Sequence, residues 1–207
     1  MLYFCIKGQK KTLNVKETIS PLRIITGSLK GRSIPSQTLG DVRLTPSRLK
    51  ESIFNMLGTN LAGLHFLDLC AGSGQIGLEA LSRGATVAFN EPEKKRYKIL
   101  NDLLQKWDMQ PEIFNQLGQN LIRAFEKRRN VFDIIYLDPP YNAESNGNPL
   151  ITDLMILLSQ TNLLSNTTGC LIAQHAASIS LPTQLGSFIC RDMRDYGSTS
   201  VNIYVPS

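Results

Sequence analysis

Apolar positions along this chain come in two textures. Short runs in which neighbouring residues are both apolar, "HFLDLCA", "TVAFN", "VFDIIYL" and "GCLIAQHA", read as strands covered on both faces, with "EIFNQ" as a further short strand. Between them lie stretches of helical period: "QIGLEALSRG", closed by Gly84, "PEKKRYKILNDLLQKW", opened by Pro92, a segment running to Phe125, and one at 150–158. Strands that alternate with helices at this spacing predict right-handed βαβ units, hence a mainly parallel sheet with helices on both faces. The last two apolar runs, "SFICRDM" and "STSVNIYV", have no helix between them and are expected to pair antiparallel.

Ahead of this alternation, "RIITGSLKGRSIP" has the β-branched and glycine pattern of a hairpin. "TPSRLKESIFNML" then predicts an amphipathic helix with Thr45 as N-cap, Pro46 at its first position, Leu49, Ile53, Phe54 and Leu57 on one face, and Gly58 as its stop. Residues 1–21 show no period and carry Lys7, Lys10, Lys11 and Lys16; they read as a flexible or loosely docked arm. The expected organisation is an arm over 1–22, a hairpin and helix over 23–58, and one α/β domain over 59–207.

The run from Val131 through Phe132, Ile134, Ile135, Tyr136 and Leu137 stops at "DPPY". Pro139 and Pro140 donate no backbone N–H and hold φ, so the strand ends at Asp138 and the turn beyond it is stiff. In an open α/β sheet that is where ligands bind. An exocyclic amine of a nucleobase is a poor nucleophile because its lone pair is conjugated into the ring. A carboxylate and a carbonyl held side by side accept both of its N–H bonds and turn the lone pair toward a methyl donor. Asp138 and the Pro139 carbonyl are the candidates, with Tyr141 as a ring on which an extruded base stacks. The bland alternative is a proline-terminated strand with Tyr141 in the core.

"LDLCAGSGQIG" joins the first strand of the alternation to its helix. Gly72 and Gly74 remove Cβ atoms where the backbone turns and a ligand lies against it, and the helix behind presents unpaired N–H groups. With Gly77 the spacing also reads as GxGxxG, a dinucleotide signal. Asp68 argues against a pyrophosphate there and suits a ligand bearing an ammonium or sulfonium. Glu91, at the end of the second strand, is placed to accept two ribose hydroxyls, the alternative being a helix N-terminal acid, a role Glu93 fills equally. In "LGQN", Gln119 and Asn120 are amides able to meet an adenine edge.

Composition narrows the picture only modestly. The 207 residues and 42% hydrophobic content fit one globular core, and a net charge of +5 with pI near 9.1 is a mild basic bias. Cys5, Cys70, Cys170 and Cys190 are far apart, without CxxC pairing or clustered His, so neither a zinc site nor a disulfide framework is expected. No run approaches the roughly 18 apolar residues of a membrane span, and "MLYFCI" lacks the form of a signal peptide; a cytoplasmic protein is expected.

Taken with "YLDPPY", "LDLCAGSGQIGLEALSRGA" resembles the class I S-adenosylmethionine-dependent methyltransferases. More narrowly, "RIITGSLKGRSI", "RLTPSRLKESIFNML" and "RDYGSTSVNIYV" resemble the RsmD-type small-subunit ribosomal RNA guanine-N2 methyltransferases, over roughly residues 23 to 205. The resemblance implies a Rossmann-like α/β fold with a seven-stranded, mostly parallel sheet whose last strand is antiparallel, and a small N-terminal hairpin and helix facing the RNA. It implies S-adenosylmethionine held by Asp68, Ala71, Gly72, Ser73, Gly74 and Glu91, and Asp138 to Tyr141 at the target guanine. The partner implied is small-subunit ribosomal RNA within a 30S particle or assembly intermediate, met by a monomer. Three positions depart from the family pattern: Arg43-Leu44-Thr45 where Arg-Pro-Thr is usual, Gln119 in place of an acid at the adenine amine, and Asn90 in place of an apolar residue.

Arg23, Lys30, Arg32, Arg43, Arg48 and Lys50 concentrate in the N-terminal block and predict a sequence-independent phosphate grip beside the crevice; a solvated basic face is the alternative. His65, His175 and Trp107 read as structural. Rival functions are a DNA methyltransferase acting on adenine N6 or cytosine N4, a non-catalytic RNA-binding assembly factor, and an NAD-dependent oxidoreductase, the last disfavoured by Asp68.

Overall fold

The computed structural model describes residues 22–35 and 45–207; the arm expected over 1–21 and Arg43 lie outside them. In chain order the elements are β1 (Leu22–Arg23), β2 (Ser33–Ile34), α1 (Ser47–Leu57), β3 (His65–Asp68), α2 (Gln75–Ser82), β4 (Thr86–Asn90), α3 (Lys94–Lys106), β5 (Glu112–Phe114) and α4 (Gly118–Lys127). There follow β6 (Ile134–Leu137), β7 (Glu144–Ser145), β8 (Asn148–Pro149), α5 (Leu150–Ser159), β9 (Cys170–Ala176), β10 (Gln184–Leu185), β11 (Phe188–Tyr196) and β12 (Thr199–Pro206).

The central sheet has the order β10-β11-β12-β9-β6-β3-β4-β5. Strands β5, β4, β3, β6 and β9 are parallel neighbours, and β12 runs antiparallel to both β9 and β11, as expected. Among the described residues the sheet has eight strands rather than seven. The extra one is the two-residue β10, created where the chain folds back at Gly186, in the left-handed region at φ 56°, and lays Gln184–Leu185 against β11. Two residues carry no period, so nothing in the sequence marks it.

Alternation along each strand fills two layers. On β3, Phe66 packs into the layer under α1, α2 and α3, with Leu49, Phe54, Leu78 and Leu100, while Leu67 packs into the layer under α4 and α5, with Leu121, Phe125, Leu154 and Leu158. The hairpin and α1 contribute Ile24, Leu29, Ile34 and Ile53 to the first of these layers, so both share their core with the sheet. Gly77 is a packing requirement: a Cβ there would lie 2.2 Å from the Phe89 ring, so α2 sits on β4 only without a side chain.

Three boundaries differ from expectation. β6 begins at Ile134, since Val131 is 53% exposed and Phe132 makes only an isolated bridge, to Leu164. α1 is capped by Pro46 with no side-chain bond, and Thr45 faces the sheet instead. α3 starts at Lys94 rather than Pro92, because the Glu93 carboxylate accepts the N–H groups of Lys95 and Arg96, both at 2.9 Å.

Candidate active site

Chain direction makes the site. From β3 the chain moves outward through β4 to β5, then α4 carries it back to β6 on the other side of β3. At such a reversal the loops beyond adjacent strands splay apart and leave a crevice. A cavity of about 570 Å³ opens there, lined by residues from the ends of β3, β4 and β6 and from the starts of α1, α2 and α4.

Asp68 forms one wall. It is 1% exposed, and its Oδ2 accepts the Gly77 N–H at 2.9 Å. Among the described residues three buried side-chain oxygens lack a partner; two of them, Asp68 Oδ1 and Gln75 Oε1, belong to residues lining the cavity. Burial, opposed by the Gly77 bond and reinforced by the charges of Asp138 and Glu91, pushes the Asp68 carboxyl up to about 7. A cationic group in the cavity supplies the missing partner for such a carboxylate. Gly72 and Gly74 form the turn in the left-handed region, at φ 53° and 76°, and Ala71 and Ser73 line the cavity with Gly72.

Glu91 lies at the end of β4 and is 2% exposed. Its Oε2 accepts the Gly72 N–H at 2.8 Å, and its Oε1 accepts the Glu93 N–H at 2.8 Å and Arg96 Nε at 3.0 Å. The carboxylate therefore clamps the glycine turn to α3 as well as facing the cavity. Asn90 is a strut at the same level: its Nδ2 donates to the Leu69 and Gln116 carbonyls at 3.0 and 3.1 Å, tying three strand ends together.

Asp138 and Tyr141 line the same cavity as Asp68, since β3 and β6 are parallel neighbours with Asp68 opposite Tyr136. Asp138 Oδ2 accepts Gln174 Nε2 at 3.0 Å, and the Tyr141 hydroxyl donates to Thr199 Oγ1 at 3.1 Å, which pins the turn to β9 and β12. Pro139 is buried and Pro140 exposed. An apolar slot on the β5 side is made by Leu150, Leu154 and Leu117, the last 61% exposed. Gln119 lines this slot and donates to Ser145 Oγ at 3.4 Å.

Several expected residues stand elsewhere. Asn120 is exposed and does not line the cavity, because the α4 turn carries it to the outer side of the helix. Lys50 does not face solvent: it is 2% exposed, its Nζ donates to the Arg23 carbonyl at 2.6 Å and lies 3.5 Å from Glu79. Glu79, fully buried, also pairs with Arg83 at 3.0 Å and accepts the N–H groups of Ile25 and Thr26. This cluster fastens the hairpin and α1 to α2. Arg23, Lys30 and Arg32 are exposed, but their hairpin packs on Ser82 at the end of α2 opposite to the cavity. Arg32 lies 5.3 Å from the Trp107 ring centroid, at the far end of the 13-residue α3, about 20 Å from its cavity end. Of the described basic residues in this block, Arg48 alone is exposed in the first turn of α1, beside Thr45 at the cavity.

Sequence reading missed Gln75, Arg96, Leu117 and Gln174, and gave Thr45 a different role. Gln174 carried a signal: a polar residue inside the apolar run "LIAQHA" needs a buried partner. Leu117 carried none.

Fold and crevice together define a Rossmann-like class I methyltransferase. Residues 22–205 match the sequence family described as conserved hypothetical protein 95, and the chain belongs to that RsmD-type family. A putative rRNA methyltransferase of Bacillus subtilis is 33% identical over 186 residues, 88% of this chain and 98% of that protein. The ribosomal RNA small subunit methyltransferase D of Haemophilus influenzae is 34% identical over 136 residues, 64% of this chain and 70% of its own. The solved structure of a putative methylase from Haemophilus influenzae superposes with a TM-score of 0.70 at 28% identity, covering 89% of this chain and 97% of that one.

Proposed function

We propose that this chain transfers a methyl group from S-adenosylmethionine to the exocyclic N2 of a guanine in small-subunit ribosomal RNA. One observation carries the reading: a carboxylate at the end of β3 with an unpartnered oxygen, Asp68, and a carboxylate at a rigid proline turn, Asp138, share one cavity on adjacent strands. Relatives named as ribosomal RNA methyltransferases support the substrate class.

The residues present fit the cofactor. Asp68 Oδ1 and Gln75 Oε1 would take its ammonium group, Glu91 a ribose hydroxyl, and Leu117, Leu150 and Leu154 the faces of its adenine, with Gln119 at the ring edge. When bound, the cofactor supplies an electrophilic methyl group on a sulfonium. Everything else is the work of the chain. Tyr141 stacks on the extruded base, and Asp138 with the Pro139 carbonyl accepts the two N–H bonds of the amine. Asp138 would offset directly the positive charge that the nitrogen takes on as it gains the methyl and the methyl's bond to sulfur breaks, leaving a neutral thioether, and the excess proton would then leave to solvent. Arg48 offers a phosphate contact at the rim.

A monomer acting in the cytoplasm on a 30S particle or assembly intermediate completes the reading. Among the described residues no helix is long and apolar enough to cross a membrane, and no cluster of metal-binding side chains occurs. Mass spectrometry of ribosomal RNA nucleosides from cells with and without this protein tests the proposal: N2-methylguanosine in small-subunit RNA should fall by one site. Unchanged methylguanosine, or a deficit of methyladenine or methylcytosine in DNA, overturns it.

A further inference from the structure

The prolines are not the only hold on Asp138. Behind it a line of hydrogen bonds runs under the cavity floor. Thr45, just ahead of α1, lies beside the Tyr136 hydroxyl and lines the cavity with it. Tyr136 on β6 donates to Gln174 Oε1 on the neighbouring β9, and Gln174 Nε2 donates to Asp138 Oδ2 at 3.0 Å. The three side chains are 3%, 1% and 0% exposed.

The line has only one direction. A tyrosine hydroxyl has a single hydrogen, which Tyr136 commits to Gln174. An amide whose oxygen is taken by Tyr136 turns its NH₂ toward Asp138. Every hydrogen along the line therefore points at the carboxylate, and bonds aligned in this way polarise one another. Burial keeps the Tyr136 phenol protonated and so keeps it a donor. The arrangement favours an ionised Asp138, since a protonated oxygen would face an N–H. That matters in this cavity, where Asp68 and Glu91 repel a third negative charge.

We propose that Gln174 and Tyr136 are positioning residues that hold Asp138 ionised and rotationally fixed against the target amine. The proposal rests on the reading of Asp138 as acceptor for that amine and adds to it two residues outside the DPPY turn.

Among the described residues, the other titratable groups that line the cavity with Asp138 are Asp68 and Cys70 after β3, Glu91 with its partner Arg96, Tyr136, and Tyr141 and Glu144 beyond the prolines. Of these, only Tyr136 is altered by the substitutions that follow. In the full chain, Gln174→Leu and Tyr136→Phe should lower single-turnover methyl transfer roughly ten- to hundredfold, with the cofactor Kd and the KM for RNA within about twofold of wild type. The acid limb of the pH–rate profile should move up by about one unit in both. Gln174→Glu, which keeps the shape but sets two carboxylates within hydrogen-bonding distance, should move that limb further, by about two units.

Should Gln174→Leu fail to fold, Tyr136→Phe, which deletes one hydroxyl, carries the same expectation. Variants that bind cofactor normally and retain wild-type rates and pH profile overturn the positioning role. A wild-type protein that methylates no RNA amine removes the functional reading itself, a distinct outcome.

Discussion

Lowering the pH from about 7.5 to about 6 should weaken cofactor binding about eightfold through Asp68 alone. Burial sets its carboxyl at about 7 before any ligand is present. The ionised fraction is then roughly 0.8 at the higher pH and roughly 0.1 at the lower, and a cationic ligand binds only the ionised form. The sign for stability runs the other way. With a folded value above the unfolded 3.8, the native protein holds a proton that the unfolded chain has lost, so stability without cofactor falls as pH rises from about 4 to about 7. The cofactor's thermal stabilisation should therefore grow over that same range. Titration calorimetry of S-adenosylhomocysteine, whose ammonium remains while the sulfonium charge is gone, checks this in buffers of different ionisation enthalpy. At about pH 6.5 it should report release of about three quarters of a proton. Asp68→Asn should bind more weakly, by tenfold or more, with a Kd independent of pH. A wild-type Kd that is flat with pH, together with no proton release, refutes the reasoning.

Asp138→Ala should abolish methyl transfer while leaving the cofactor Kd within about threefold, measured by single-turnover assay and calorimetry. Glu91→Ala should weaken the cofactor at least tenfold, because the glycine turn and Arg96 lose their common anchor along with the ribose contact. Glu79→Ala should cost about 3–5 kcal/mol in denaturant unfolding, since Lys50 and Arg83 would be left buried without a counter-charge. Arg48→Ala should weaken RNA binding and lower its salt slope by about one, whereas Arg32→Ala, at the far end of α3, should leave both unchanged.

Most of the fold was legible because the runs buried on both faces, such as the Ile134–Leu137 core of "VFDIIYL", admit only an interior parallel strand. What escaped was too short or too tertiary to leave a period. The two-residue strands β7, β8 and β10 exist because a turn happens to bring backbones together. The placement of Glu91 and the DPPY turn at the cavity was legible because each follows directly on a strand end marked by proline. Lys50 was misread as an RNA contact although it shares the face of Ile53, Phe54 and Leu57 by helical spacing; its position was a better guide than its charge. The basic hairpin was assigned to the crevice because sequence gives the sign of a surface and not its distance from the site.

The most direct measurement incubates this protein with small-subunit ribosomal RNA, free and within particles, and with cofactor carrying an isotopically labelled methyl group, followed by nucleoside mass spectrometry. The account predicts label in N2-methylguanosine alone, lost with Asp138→Ala. Label on a ring carbon or a ribose oxygen, or label that persists in the variant, would contradict it.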